Sequence, residues 1–129
     1  LIIGEVTLEY LDSVYRRMGL PELFVYCHRE DGAPAGFITG YIHQDQGICH
    51  VEHMIVLPGA PRKFHVMMQM SKDATRLLHD QGIAIVLKIL DNDPRTGLRA
   101  WAKRMAYEPY AHDHEAQWYI NRPKEPVNG

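Results

Sequence analysis

Cysteine is scarce in this sequence: Cys27 and Cys49 are the only two. Two are too few for a disulfide scaffold, and their separation is not that of a metal knuckle. Both fall in apolar segments and read as reduced core thiols of a cytoplasmic-type compartment, with a disulfide between neighbouring strands left open. An excess of charge of either sign is also lacking, since 14 Lys and Arg stand against 16 Asp and Glu for a net charge of −2. That balance argues against nucleic acid or an anionic membrane as a partner, and the basic pairs Arg16-Arg17, Arg62-Lys63 and Lys103-Arg104 are short. No apolar run approaches the ~20 residues of a membrane span, and no secretory pattern is visible. A P-loop, a Rossmann glycine pattern and zinc-ligand spacing are all missing. The chain opens at Leu1 without methionine, and the expectation is that its N-terminus is incomplete.

What is present suits one domain spanning 1–129, with 46% hydrophobic and 23% charged residues among 129. Residues 1–4 read as a short strand. From Thr7 as N-cap, Leu8, Leu11, Val14, Tyr15 and Met18 share one helical face that Gly19 and Pro21 end. "LFVYCHRE" (23–30) and "AGFITGYIH" (35–43) flank an Asp31-Gly32 turn and read as a hairpin. "ICHVEHMIVL" (48–57) is a third strand, with His50 and Glu52 on one face and His53 on the other. Phe64, Met67, Met68, Ser71, Ala74, Leu77 and Leu78 then follow helical spacing. "IAIVLKIL" (83–90) is an apolar strand and "LRAWAKRMA" (98–106) a helix that Pro109 stops. "EAQWYIN" (115–121) is the last strand, followed by a polar tail at 122–129. Three hairpin-connected strands followed by β-α-β crossovers predict a mixed sheet with helices on both faces, an α/β or α+β fold.

The segment "VLPGAPRKFHVMMQ" (56–69) carries the functional reading. A strand ends, a short basic turn follows, and a helix begins whose N-terminal amides can hold an anion. This order of elements, with that loop, resembles the GCN5-related N-acetyltransferase (GNAT) superfamily, and more narrowly the small acetyltransferase-like proteins of bacteriophages with eroded loops. The family's loop reads Gln/Arg-x-x-Gly-x-Gly/Ala; Arg62 matches the first position, while His65 and Met67 occupy the two small-residue positions. The resemblance implies acetyl-CoA as cosubstrate, with no metal. It places Val56 and Leu57 beside the pantetheine, and Arg62, Lys63, Phe64, His65, Val66 and Met67 around the diphosphate. Asn92 matches a pantetheine-side asparagine. Ala106-Tyr107 resembles a weakened Gly-Phe, and Ala102, next to Trp101, stands where the family places a tyrosine acid.

Acyl transfer to an amine needs a base for the ammonium proton and donors for the developing oxyanion. Glu52 lies about ten residues before Arg62, the family's offset for a general base, and a carboxylate on an apolar strand is expected to be desolvated. His50 and His53 flank it as relay candidates. His112 and His114 lack a third metal ligand. The expected activity is therefore transfer of an acetyl group from acetyl-CoA to an amine of a small molecule or a protein, with a homodimer allowed. The alternative is a catalytically inactive protein of the same fold, serving as a structural or host-interacting component such as a phage encodes.

Overall fold

The computed structural model describes residues 2–3, 6–7, 22–95 and 97–124. Strand β1 (Ile2–Ile3) pairs antiparallel with β2 (Val6–Thr7). Thr7 is the last residue of β2, and the helix expected after it, over 8–18, lies outside the described residues. The main sheet contains β3 (Leu23–Glu30), β4 (Ala33–His43), β5 (Ile48–Val56), β6 (Ala84–Leu90), β7 (Glu108–His112) and β8 (Ala116–Asn121). Their spatial order is β3-β4-β5-β6-β8-β7. Helix α1 (Lys63–Asp80) links β5 to β6, and α2 (Leu98–Arg104) follows β6. Among the described residues no helix is long and apolar enough to cross a membrane.

The β3–β4 hairpin turns at Asp31 and Gly32, both with positive φ (50° and 82°), the backbone that a two-residue hairpin loop requires. Among the described residues only β5 and β6 pair in parallel; β6 and β8 are antiparallel. The expected second β-α-β crossover is therefore replaced by α2 and a further strand, β7. Pro109 lies inside that strand, which is tolerated because β7 is the sheet edge and a proline there forfeits no central ladder bond. Cys27 and Cys49 sit on β3 and β5 with β4 between them, and both are free thiols.

Both described helices cover one face of the sheet. Leu78 of α1 and Trp101 and Ala102 of α2 join Cys49, Ile85, Leu87, Ile89 and Tyr119 in the largest apolar cluster. The buried stripe of α1 is Val66, Met70, Ser71, Ala74 and Leu78, so Phe64 and Leu77, expected in the core, are 61% and 47% exposed. Val66, Met70 and Leu78 are almost wholly buried, each contributing about 1.5–3 kcal/mol through burial.

The two helices end alike. After α1, the Gly82 and Ile83 amides donate to the carbonyls of His79 and Leu78; after α2, those of Ala106 and Tyr107 donate to Lys103 and Ala102. Both are Schellman closures, which need a left-handed residue just past the helix. Gly82 fills that position at φ 75°, whereas Ala106 is held there at φ 68°. Ala106→Gly is expected to relieve about 1 kcal/mol and raise the melting temperature by several degrees in a calorimetric scan; an unchanged or lower value would refute that assignment of strain.

The register between β4 and β5 shifts once. Thr39 faces His53 and Gly40 faces Val51, so Glu52 is left without a partner as a bulge. A Cβ at Gly40 would collide with the backbone carbonyl of His50. Gly40→Ala is expected to destabilise the domain by about 1–3 kcal/mol, read as an earlier urea midpoint, because only backbone movement at the bulge relieves the clash.

Candidate functional site

The bulge coincides with the point where two central strands separate. β5 and β6 pair through Ile48–Ala84, Cys49–Ile85 and His50–Val86, and no further. Beyond His50 the two strands diverge, so the β5 edge that faces β6 has no ladder partner there among the described residues. An extended ligand could pair with that edge as an added strand would.

The bulge also changes which side chains meet. Strict alternation separates His50 from His53, but the extra residue returns His53 to the His50 face. The His53 ring bonds the buried Thr39 hydroxyl at 3.0 Å, and His50 stacks on Tyr41 at 5.0 Å between ring centroids. Thr39 and Tyr41 are two apart on one strand and so share a face. His43 and Trp118 approach His50 edge-on, and Lys88 lies 5.5 Å from the centre of the Trp118 ring. Burial, together with the nearby His43, lowers the His50 pKa from the ordinary histidine value, favouring the neutral imidazole.

Glu52 is exposed, contrary to the desolvation expected on an apolar strand, because a bulged residue is turned out of the ladder. Its charge nevertheless reaches this cluster. The Tyr41 phenol is raised by burial and then by Glu52. Lys88 is raised chiefly by its 2.7 Å bond to Glu115, with Asp113 and Glu52 adding to the effect. Tyr41, His50, Trp118 and Lys88 therefore form one cluster beside the strand divergence, and the Glu52 charge acts on its Tyr41 and Lys88.

At the other end of β5 stands the loop to α1. The first helical hydrogen bond runs from the Val66 amide to the Arg62 carbonyl. The amides of Lys63, Phe64 and His65 thus precede the intrahelical ladder, as the first turn of any helix requires. Arg62 itself is left-handed at φ 48°, ψ 57°, a strained conformation for a residue with a Cβ. Val66 is fully buried and Met67 packs against the core, so neither surrounds a ligand as expected. Val56 packs beside Met70 and Ala74. The Leu57 amide bonds the Ala35 carbonyl and the Leu57 carbonyl accepts from Ala60, which removes Leu57 from pantetheine pairing. Asn92 is exposed in the turn after β6.

One carboxylate was not anticipated. Glu30, at the end of β3, accepts a 3.0 Å bond from His28 and lies 3.7 Å from the Arg62 guanidinium and 3.9 Å from His65. The His28 bond is the main cause that holds Glu30 below the usual carboxylate range.

Between the first turn of α1 and the length of α2 lies a cleft of about 230 Å³ lined by Phe64, Gly97, Ala100, Trp101 and Arg104. The Trp101 indole N–H is buried with no hydrogen-bond partner, a costly state that an acceptor on a ligand would relieve. Free first-turn amides, the Arg62 and Lys63 charges and an orphan donor fit a ligand carrying a diphosphate and polar groups. No group of three His, Cys, Asp or Glu among the described residues is arranged for a metal; the His112 ring bonds Asp91 at 3.0 Å instead. Sequence order alone gave no sign of Glu30, Lys88 or Trp118, since strand pairing across the sheet brings them in.

No family model matches the sequence, and no curated protein matches it either. Solved structures do share its architecture. The PaiA N-acetyltransferase of Thermoplasma acidophilum, in complex with coenzyme A, is 15% identical with a TM-score of 0.62, over 92% of this chain and 81% of that one. The aminoglycoside 6′-N-acetyltransferase of Enterococcus faecium is 15% identical with a TM-score of 0.66, over 94% and 86%. The N-acetyltransferase PseH of Campylobacter jejuni, in complex with acetyl coenzyme A, is 9% identical with a TM-score of 0.64, over 90% and 79%. With its mixed six-stranded sheet and diverging central strands, this chain has the fold of the GNAT acetyltransferases.

Proposed function

We propose that this protein is an N-acetyltransferase that moves an acetyl group from acetyl-CoA to an amine. The observation that carries the reading is the divergence of β5 from β6 at the Glu52 bulge, with the first-turn amides of α1 at one end of the gap. Acetyl-CoA supplies an acetyl group activated as a thioester. The Lys63–His65 amides with Arg62 and Lys63 would hold its diphosphate, and the unpaired β5 edge would align the pantetheine and hydrogen-bond the carbonyl oxygen. Glu52 takes the ammonium proton of the acceptor, directly or through a water, so that the nitrogen lone pair attacks the thioester carbonyl. The C–S bond then breaks, and CoA leaves as the thiol, its sulfur taking up the proton that the nitrogen loses as the amide forms. Neutral His50, two residues away on the same strand, would act as a relay, and His53, fixed by Thr39, lines the His50 face. The acceptor, a small molecule or an exposed amine of a protein, approaches from the His50 face. We place the site in a cytoplasmic-type setting.

The proximity of Glu30 to Arg62 favours a second reading, a catalytically inactive component of the same fold, because that carboxylate stands where a diphosphate would draw on the arginine. Calorimetric titration with acetyl-CoA separates the two. Heat of binding is expected, with Arg62→Ala weakening affinity by about tenfold and Glu30→Gln tightening it. No heat and no thermal shift at millimolar ligand would remove the transferase reading. Glu52→Gln is expected to lower kcat roughly 100-fold while leaving CoA affinity unchanged, and equal turnover would dismiss Glu52 as base. A histidine that must be neutral loses function as pH falls through its pKa, and here that pKa is depressed. The acid limb of the rate profile should therefore lie below about 6.5 and change in His50→Gln; an identical limb in the variant would exclude His50 as relay.

A further inference from the structure

Toward the other end of α1 from Arg62, its last turns, the end of α2 and the end of β8 enclose a second groove of about 640 Å³, which shares only Arg104 with the Trp101 cleft. Lys72 and Arg76 of α1, Arg104 of α2, and Arg122 and Lys124 beyond β8 line it, and Asp80 and Glu108 are its carboxylates. Five cations face two anions, an excess of three positive charges on a chain whose net charge is −2. Among the described residues none of the five cations forms an ion pair or a side-chain hydrogen bond, while Lys88 and Arg95 elsewhere do. Like charges gathered without partners repel one another, so their convergence on a concavity favours an anionic occupant.

The walls are tied together. The His79 ring bonds the Asn121 carbonyl at 3.1 Å, and the Asn121 amide donates to the Met105 carbonyl at 3.0 Å. These two bonds lock the end of β8 to both helices, so the charged side chains spring from a fixed frame. Met105, Ala106 and Ile120 provide an apolar floor. The volume suits a small molecule, and three guanidinium forks match phosphate oxygens in pairs. A nucleic-acid backbone fits less well, because the surface outside the groove carries net negative charge.

We propose that this groove binds a small phosphorylated compound bearing two or more phosphate groups, at a site distinct from the acyl-donor loop. Arg76 lies about 20 Å along α1 from Arg62, at 1.5 Å per residue. The site does not rest on the acyl-transfer reading. Inorganic tripolyphosphate is the probe, titrated calorimetrically into the wild-type chain, the exposed double variant Arg76→Gln/Arg122→Gln, and Arg62→Ala. The double variant should lose at least about tenfold in affinity at the groove, whereas Arg62→Ala should keep that binding and lose only a second component of the isotherm, the one due to the acyl-donor loop. Acetyl-CoA should bind wild type and double variant equally, which keeps the outcome independent of the other site. Unmelted thermal profiles at room temperature confirm that each variant is folded before titration. Equal tripolyphosphate affinity in the double variant, or loss only in Arg62→Ala, would overturn the proposal. So would tighter binding of a short duplex oligonucleotide than of tripolyphosphate, which would assign the groove to nucleic acid instead.

Discussion

One unpaired residue governs the site. Glu52 has no partner on β4, and the ladder between β5 and β6 ends two residues earlier, at His50. A bulge bends its strand and increases the local twist, which is what two parallel strands need in order to part while the rest of the sheet stays intact. From that irregularity follow the free β5 edge, the outward carboxylate and the return of His53 to the His50 face. Gly40 makes it feasible, because its missing Cβ lets the two backbones close where a larger residue would hold them apart.

Helix α1 gives the opening its fixed geometry. Its stripe of Val66, Met70, Ala74 and Leu78 is driven into the sheet, and the Tyr26 hydroxyl reaches across to Asp73 at 2.9 Å. Burial, with that carboxylate, pushes the Tyr26 phenol up to about 12, so the tie persists through the neutral range. A helix seated this firmly presents its first-turn amides in one direction only. The bulky Phe64 and His65 side chains then point outward at no cost to the core, which is how a loop without glycine at positions 65 and 67 would keep its amides accessible.

The legible parts of the sequence were those with local causes. The hairpin at Asp31-Gly32, the apolar strand at 83–90 and the helix beginning near 63 follow from turn chemistry and periodicity, and each was found within a few residues of its place. Strand β7 was missed because Pro109 and the exposed pattern of 108–112 signal a break, and only pairing with β8 makes them a strand. The faces of His50 and His53 were misread because period-two alternation assumes an unbroken ladder. Glu30 escaped notice because 32 positions of chain separate it from the Arg62 that it approaches.

The sequence by itself determined the kinds of element, the mixed sheet, the basic turn at 58–66 between a strand and a helix, and Glu52 as a polar residue among apolar neighbours, since all of these are written in composition and spacing. Tertiary structure alone decided where the strands part, which rings gather around His50, that Leu57 is spent on Ala35 and that five cations share one groove. Those features depend on strand register and helix docking, long-range constraints that act between residues far apart in the chain and that local physical preferences do not encode.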